Sequence, residues 1–204
     1  MRAALAQLGA SPGFECLEEL VYVTPKASLP RDWESYLARL SKKDRHELRR
    51  KLRRLEEAGG ADFETIEGPN TTDNDLADFF RLHRLSKNEK ALFMTDDRAQ
   101  FFTSVLREPY PTGPALLFFL KLRGQRVAGA VCFDSSQSYL LFNSGFDPAY
   151  STYSVGLLLK ALCIKHAIES GKSTFDFLRG SEPYKYDLGG RDEGLYSIAL
   201  ERKE

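Results

Sequence analysis

The densest group of chemically versatile side chains in this sequence lies between residues 176 and 186. It contains two carboxylates, two tyrosines, an arginine and a lysine: Asp176, Glu182, Tyr184, Tyr186, Arg179 and Lys185. A positioned carboxylate can take a proton from a reacting group, and a positioned tyrosine can give one. Arginine and lysine side chains bind anionic groups. Because Gly180, Gly189 and Gly190 make this loop adaptable, the segment is predicted to carry the chemistry.

The neighbours of Asp176 indicate how this segment begins. Phe175 and Phe177 flank the aspartate, and the alternation predicts a strand over residues 174–178 with the carboxylate on the face opposite the rings. A carboxylate on that face can line a cleft and act as a general base. It can equally be an exposed strand residue or a partner of Arg179. The two tyrosines can equally be packing residues.

A second candidate site lies at the start of a long apolar helix, predicted over about residues 151–170 and ended by Gly171. The first N–H groups of a helix have no partner within it, and the helix dipole attracts an anion. Small residues at Ser154 and Gly156 allow a ligand to approach the backbone closely. A phosphate-bearing ligand at this helix start is one interpretation, and a plain capped core helix is the other.

Periodicity and capping residues predict the elements that position these groups. Near the N-terminus they indicate a short strand at residues 20–24, a helix from about residue 31, and a basic helix from a Ser41–Asp44 capping box to Gly59-Gly60. Beyond it they predict a strand at residues 61–67, two helices capped by Thr72 and Thr95, and three strands at residues 115–122, 127–134 and 139–143. The long helix, the strand at 174–178, a possible short helix and a strand at 195–200 complete the chain.

This pattern predicts an α/β protein with a mixed (α+β) sheet. From residue 61 the order is β-α-α-β-β-β-α-β-α-β, and the long helix makes one crossover between parallel strands. The expected division is an N-terminal strand and basic helical extension over residues 1–60, followed by one domain over residues 61–204. Gly59-Gly60 is the strongest boundary signal in the chain.

Composition excludes several classes of protein. Lys plus Arg and Asp plus Glu each number 29, so the formal net charge is zero and no overall field draws the chain to nucleic acid or to a membrane. The three cysteines and three histidines lack metal-ligand spacing. The N-terminus lacks a signal-peptide layout, and the apolar clusters are too short to span a bilayer. We therefore expect a cytoplasmic protein without a metal site or a membrane span.

The order of elements resembles that of the GNAT acyltransferase superfamily. Its details are closest to the Fem-like branch, which includes CelD-like proteins associated with cellulose and other envelope polysaccharides. Two segments carry the resemblance, SKKDRHELRRKLRRL at residues 41–55 and FDFLRGSEPYKY at residues 175–186. It covers the chain from about Pro30 to its end. Since long relatives carry a further GNAT-like half before this point, the chain is similar to a C-terminal half.

The resemblance implies that the helix start binds the pyrophosphate of coenzyme A. Gly156 keeps the last small position of the family's pattern, whereas Ser154 replaces its first glycine and Ser151 replaces its long Gln or Arg. It further implies that the preceding strand parts from the next one, so that backbone groups there pair with pantetheine and polarise the thioester carbonyl. An ordinary glycine loop is the alternative for that segment. The implied binding residues are Asn143, Ser144, Gly145, Phe146, Ser151, Ser154, Val155 and Gly156.

The resemblance also implies roles for the segment at residues 176–186. Asp176 or Glu182 would remove the proton of an amine nucleophile, and Tyr184 or Tyr186 would protonate the leaving thiolate. The cationic side chains, Arg179 and Lys185, would hold an acidic substrate or the coenzyme phosphates. No Cys or Ser lies beside a His as an activated nucleophile, so direct attack within a ternary complex is expected.

The expected function is transfer of an acyl group, typically acetyl from acetyl-CoA, to an amine of a sugar, amino sugar or related small molecule. One alternative is the Fem activity, which uses aminoacyl-tRNA; the basic helix suits tRNA, but the net neutrality argues against it. The other is a degenerate GNAT module that only binds a partner, which the altered pyrophosphate motif favours. For the basic helix itself, a solvated face braced by Glu47, Glu56 and Glu57 competes with a polyanion site. A second copy of the chain is a further candidate partner.

Overall fold

The computed structural model describes residues 14–111 and 113–202. Its strands and α-helices, in chain order, are β1 (Phe14–Ser28), α1 (Trp33–Arg39), α2 (Lys42–Glu57), β2 (Ala61–Glu67), α3 (Asp73–Ser86), α4 (Asn88–Phe93), α5 (Asp96–Arg107), β3 (Ala115–Leu122), β4 (Gln125–Asp134), β5 (Ser138–Phe146), α6 (Val155–Glu169), β6 (Thr174–Asp176), α7 (Pro183–Asp187) and β7 (Arg191–Arg202).

All seven of these strands form a single sheet in the order β2-β3-β4-β5-β6-β1-β7. The pair β5–β6 is parallel and the other neighbouring strands are antiparallel. The helix α6 connects the two parallel strands, as the crossover rule requires. The predicted mixed α/β class is confirmed.

The first strand is longer than the sequence predicted, because it continues through Pro25 to Ser28. Proline lacks an N–H group and normally ends a central strand. Here Pro25 lies where the neighbouring β6 has already ended, and its carbonyl accepts a hydrogen bond from Phe177 N–H at 3.0 Å. Since β1 lies between β6 and β7, residues on both sides of Gly59-Gly60 contribute to the same sheet. The assignment of residues 1–60 as an extension of a domain at 61–204 stays a prediction.

Strand β3 shows how the sheet is buried on both faces. Leu116, Phe118 and Leu120 point into a core cluster shared with α1, α2 and α6. The alternate residues Leu117 and Phe119 point into a second cluster with α3 and α5. This two-sided burial explains why the strand is apolar almost throughout, without the alternation of a half-exposed strand.

Two predicted helix starts are confirmed by their caps. Ser41 Oγ accepts a hydrogen bond from Asp44 N–H at 3.1 Å, and Thr72 forms a reciprocal capping box with Asp75. Two segments differ from prediction. The helix α4 was not predicted, and residues 144–146, predicted as loop, continue β5 because Phe146 and Gly145 pair with Ala128 and Gly129.

The long helix begins later than predicted. Residues Pro148–Tyr153 form a 3-10 turn, and α6 starts at Val155 with Ser154 as its N-cap. Ser154 has φ 55 and ψ 34, a left-handed conformation that costs a non-glycine residue roughly 1–2 kcal/mol. Its position is therefore one where glycine is the unstrained residue, and the serine there is held by the surrounding fold.

Candidate functional site

Strands β5 and β6 pair for only three residues before they part. Ser138–Leu140 lies opposite Thr174–Asp176, after which β6 ends while β5 continues to Phe146 alongside β4. From Leu141 onward, the side of β5 that faces away from β4 has no strand partner in the described part of the chain. The segment 143–146, predicted to line such an opening, lies within it.

Side chains satisfy the backbone of β5 where β6 is missing. Ser144 N–H donates to Asn143 Oδ1 at 2.8 Å, and the Ser144 carbonyl accepts from Lys90 Nζ. Asn143 Oδ1 also lies 3.0 Å from Nε2 of the buried His83. Burial lowers the pKa of His83 to about 4, so the ring is neutral at pH 7 and Nε2–H is the donor to the amide oxygen.

Two glycines hold the surrounding helices against this strand. A Cβ on Gly145 would lie 2.3 Å from His83 Cα on α3, and a Cβ on Gly156 would lie 2.8 Å from the ring of Phe146. Both positions therefore require glycine for packing. Gly156 brings the start of α6 beside β5, close to the opening between the strands.

A cavity of about 510 Å³ lies at this junction. The predicted donor-binding residues that line it come from β5 and the start of α6: Ser144, Phe146, Ser151, Ser154, Val155 and Gly156. Two predicted catalytic residues, Glu182 and Tyr184, line the same cavity from α7 and the loop before it. Ser154 makes no side-chain capping bond, so the first turn of α6 keeps N–H groups for a ligand. Asn143 and Gly145, also predicted donor-binding residues, are not among the lining residues. Asn143 accepts a hydrogen bond from Ser144 N–H, and Gly145 packs against His83 of α3.

Three lysines that the sequence analysis missed also line this cavity: Lys87, Lys90 and Lys160. Lys160 is buried, donates to the Gly156 carbonyl at 2.9 Å, and its Nζ lies 4.6 Å from the centroid of the Tyr184 ring. Burial, followed by the positive charge of Lys90, lowers the pKa of Lys160 to about 8. Burial and the charge of Lys87 likewise lower the pKa of Lys90. The cavity is thus suited to an anion.

A sequence signal for Lys160 existed. It is the one charged residue among residues 155–164, which are otherwise apolar or glycine. Burying a charged side chain in such a stretch costs free energy, so its presence there indicates a role. Lys87 and Lys90 had no comparable signal, because the short helix that carries Lys90 was not predicted.

The ammonium group of Lys185, a predicted substrate-binding residue, is bound by groups of the protein itself. Its side chain is only 2% exposed, and Nζ donates to the carbonyls of Leu178, Arg179 and Gly180 at 3.1, 2.9 and 3.1 Å. Nζ also lies 3.0 Å from Glu182 Oε2. These oxygens occupy all the donors of an ammonium group, so Lys185 organises the loop before α7.

Asp176 and Tyr186 lie outside the cavity as well. Asp176, predicted as a candidate base, accepts a hydrogen bond from Leu178 N–H at 2.8 Å and lies 3.6 Å from Lys26 Nζ on β1. Tyr186 is two residues beyond Tyr184 on α7, so it points to another side and donates to Asp192 Oδ1 at 2.8 Å. Of the four predicted catalytic residues, the fold brings only Glu182 and Tyr184 to the cavity.

The surroundings of these two residues set their protonation. Burial acts to raise the pKa of Glu182, but hydrogen bonds from its own N–H and from Lys185 outweigh it, so the pKa is lowered and the carboxylate is ionised at pH 7. Burial raises the pKa of Tyr184, so its phenol keeps its proton. The site therefore combines an ionised carboxylate, a protonated phenol and a cationic wall.

The basic helix α2 is braced by carboxylates, as one interpretation of its sequence held. Arg49 pairs with Glu34 at 2.5 Å, Arg50 with Glu47 at 2.7 Å, and Arg53 with Glu57 at 3.7 Å. These pairs are exposed and contribute little to stability. They do offset much of the positive charge of this face.

The described ranges contain no helix with the length and apolar character needed to cross a bilayer. They also contain no group of three or more His, Cys, Asp or Glu side chains able to bind a metal ion.

Comparison with known proteins identifies a matching domain family and similar folds. A family model described as an acetyltransferase (GNAT) domain matches residues 42–186. Among solved structures, FemX has a TM-score of 0.69 at 14% identity, over 93% of this chain and 65% of that chain. No curated protein sequence matches the chain.

Two further structures are similar over nearly all of the chain. One is the C-terminal domain (DUF2156) of an Agrobacterium fabrum protein named as a lysylphosphatidylglycerol synthetase. Its TM-score is 0.63 at 14% identity, over 97% of this chain and 64% of that chain. The other is a Bacteroides thetaiotaomicron protein of unknown function. Its TM-score is 0.63 at 14% identity, over 96% of this chain and 65% of that chain. At this identity the likeness concerns the fold alone. The chain spans about two thirds of the length of each of these structures.

Replacing Lys185 by Met should lower the free energy of unfolding by about 3 kcal/mol or more, because it leaves three carbonyls and the Glu182 carboxylate without their ammonium partner. Urea denaturation measures the loss. Lys165→Met is the matched control, since the Lys165–Glu169 pair is exposed and its removal should cost less than about 1 kcal/mol. A Lys185→Met protein of unchanged stability, with only its acceptor affinity reduced, would restore the substrate-binding role.

Proposed function

Because the chain belongs to the acetyltransferase (GNAT) domain family, we propose that it transfers an acyl group from an acyl-coenzyme A to an amine. We propose acetyl as the acyl group and an amine of a sugar, amino sugar or related small molecule as the acceptor. A cytoplasmic precursor of an envelope polysaccharide is an acceptor of this kind, and acetyl-CoA is available in the same compartment.

The observation that carries this proposal is the cationic cavity where β5 and β6 part beside the start of α6. A coenzyme A thioester carries a pyrophosphate and a further phosphate. The N–H groups of the first turn of α6 and the ammonium groups of Lys87, Lys90 and Lys160 suit these phosphates. Ser151 replaces the long polar residue that the family uses at this place, and the lysines supply the missing positive charge from other elements.

In the proposed reaction the acceptor enters as an ammonium ion, and Glu182 takes a proton from it. The neutral nitrogen then attacks the thioester carbonyl, so that a C–N bond forms and the C–S bond breaks. The electron pair of that bond goes to sulfur, and Tyr184 gives the thiolate its phenolic proton. The nitrogen loses its second proton as the amide forms, and this proton restores the phenol of Tyr184 through water. The positive charge of the cavity lining stabilises the anion that develops when the carbonyl is attacked.

A Fem-type reaction with aminoacyl-tRNA is the second candidate. The likeness to FemX over 93% of the chain favours it, and the phosphates of a tRNA end would suit the same cationic cavity. The neutral net charge and the carboxylate pairs of α2 support the coenzyme A proposal over this one.

Acetyl-CoA at about a hundredfold excess over its Kd should stabilise the protein by about 2.7 kcal/mol in a thermal-shift titration. Lys87→Glu should weaken binding by on the order of tenfold, since it reverses an exposed charge at the cavity. Lys42→Glu, a reversal on α2, serves as the control and should bind like the wild type. Gly156 is unsuitable for this test, because any side chain there would strike the Phe146 ring. A protein that binds deacylated tRNA but not acetyl-CoA would favour the Fem-type reaction.

Acetyl-CoA binding should be accompanied by proton uptake at about pH 8.5. The pKa of Lys160 in the free protein is about 8, so this amine is mostly neutral there, and a bound anion favours its charged form. Calorimetry in two buffers with different ionisation enthalpies measures the number of protons. The Lys160→Met protein should bind with less uptake; equal uptake in both proteins would place the phosphates away from this lysine.

Tyr184→Phe should lower kcat by about tenfold or more, on the general acid–base scale of about a hundredfold or above, with acetyl-CoA affinity unchanged. A coenzyme A release assay gives the rate, and circular dichroism confirms the fold. Tyr186→Phe is the matched control, because that hydroxyl is bound to Asp192 outside the cavity. Equal rates for Tyr184→Phe and the wild type would remove the phenol from the reaction.

A further inference from the structure

A second cavity, of about 340 Å³, adjoins the one that we assign to the donor. The two cavities share four lining residues: Lys90, Ser144, Glu182 and Tyr184. The second cavity extends from this shared wall between the open side of β5, at Leu141 to Asn143, and the loop that follows β6, at Phe177 to Arg179. A molecule in it would meet a donor thioester at the side chains to which we assign the proton transfers.

The charges of this second cavity are unbalanced. Lys90, Arg179 and Lys185 contribute three positive charges, and Glu182 is the one carboxylate among its described lining residues. The 3.0 Å contact between Lys185 and Glu182 offsets one of the three. The guanidinium of Arg179 lies 4.8 Å from the centroid of the Tyr22 ring, and no carboxylate among the described residues is within ion-pair distance of it. An anion therefore suits this cavity and a simple cation does not.

The remaining lining limits the size and character of the ligand. Leu141, Phe142, Phe177 and Leu178 provide apolar surface, and the volume is at the lower end of that of small-molecule sites. A single sugar or amino acid has a matching size. A polymer chain or a long polyamine does not.

We propose that this second cavity holds the acceptor, and that the acceptor is a small amine that also carries an acidic group, a carboxylate or a phosphate. This inference rests on the proposed acyl transfer. The acidic group binds Arg179, and the amine lies at the shared wall beside Glu182. A bare polyamine brings only positive charge to a cavity that already has an excess of it.

The test is a coenzyme A release assay with acceptors in matched pairs: glucosamine with its 6-phosphate, and cadaverine with free lysine. In each pair the acidic member should have a kcat/KM higher by on the order of tenfold or more, the usual effect of one charged hydrogen bond. The first pair reports a phosphate and the second a carboxylate, so the preferred acidic group is identified. Equal rates within both pairs would overturn the inference.

Arg179→Gln should remove this preference by raising KM for the acidic members, with kcat and the KM for the members without an acidic group unchanged. Arg191→Gln is the matched control, because Arg191 is an exposed arginine on β7 outside both cavities. A preference that survives Arg179→Gln would also overturn the inference.

Binding measurements separate this inference from the proposed function. If acetyl-CoA binds but the acidic amines have no advantage, the acceptor inference fails and the acyl transfer stands. If acetyl-CoA does not bind, the proposed function fails, and thermal shift with glucosamine 6-phosphate against glucosamine, in wild type and Arg179→Gln, still tests the cavity. If glucosamine 6-phosphate does not raise the melting temperature of the wild type, the acceptor inference is then overturned as well.

Discussion

The candidate site depends on one buried ammonium group. Lys185 binds the carbonyls of Leu178, Arg179 and Gly180 and the carboxylate of Glu182, and it lies next to Tyr184 in the chain. By fixing the loop after β6 to the short helix α7, it holds Glu182 and Tyr184, the one carboxylate and the one phenol among the described residues that line the cavity. Leu178, whose carbonyl accepts one of these hydrogen bonds, has a left-handed conformation with φ 54, which is costly for a leucine.

Positive charge is the second constraint on this part of the molecule. Three ammonium groups lie around one cavity, and burial together with their mutual repulsion lowers the pKa of Lys90 and of Lys160. Such an arrangement costs free energy in the empty protein, and a bound anion removes much of that cost. The same argument applies to the adjoining cavity, where Arg179 and Lys90 exceed the charge of Glu182. The charges thus favour an anionic ligand on both sides of the shared wall.

Predictions from sequence succeeded where the signal was local. Capping by Ser41 and Thr72, the glycine ends of α2 and α6, and the strand at residues 61–67 follow from the residues themselves. They failed where a residue distant in the sequence but close in space sets the local structure. Pro25 remains within a strand because β6 ends beside it, and residues 144–146 are strand because β4 pairs with them. The contacts of Asp176 with Lys26 and of Lys185 with three loop carbonyls were not predicted for the same reason.

The sequence by itself determined the class of fold and most of its elements, though not α4, because periodicity, caps and turns act over a few residues. Only the tertiary structure decided which side chains of those elements meet. The parting of β5 from β6 and the approach of α4 bring Lys87 and Lys90 to Lys160, across contacts between residues far apart in the chain. The direction of each side chain on α7 then admits Tyr184 and excludes Tyr186, because residues two apart on a helix face different neighbours.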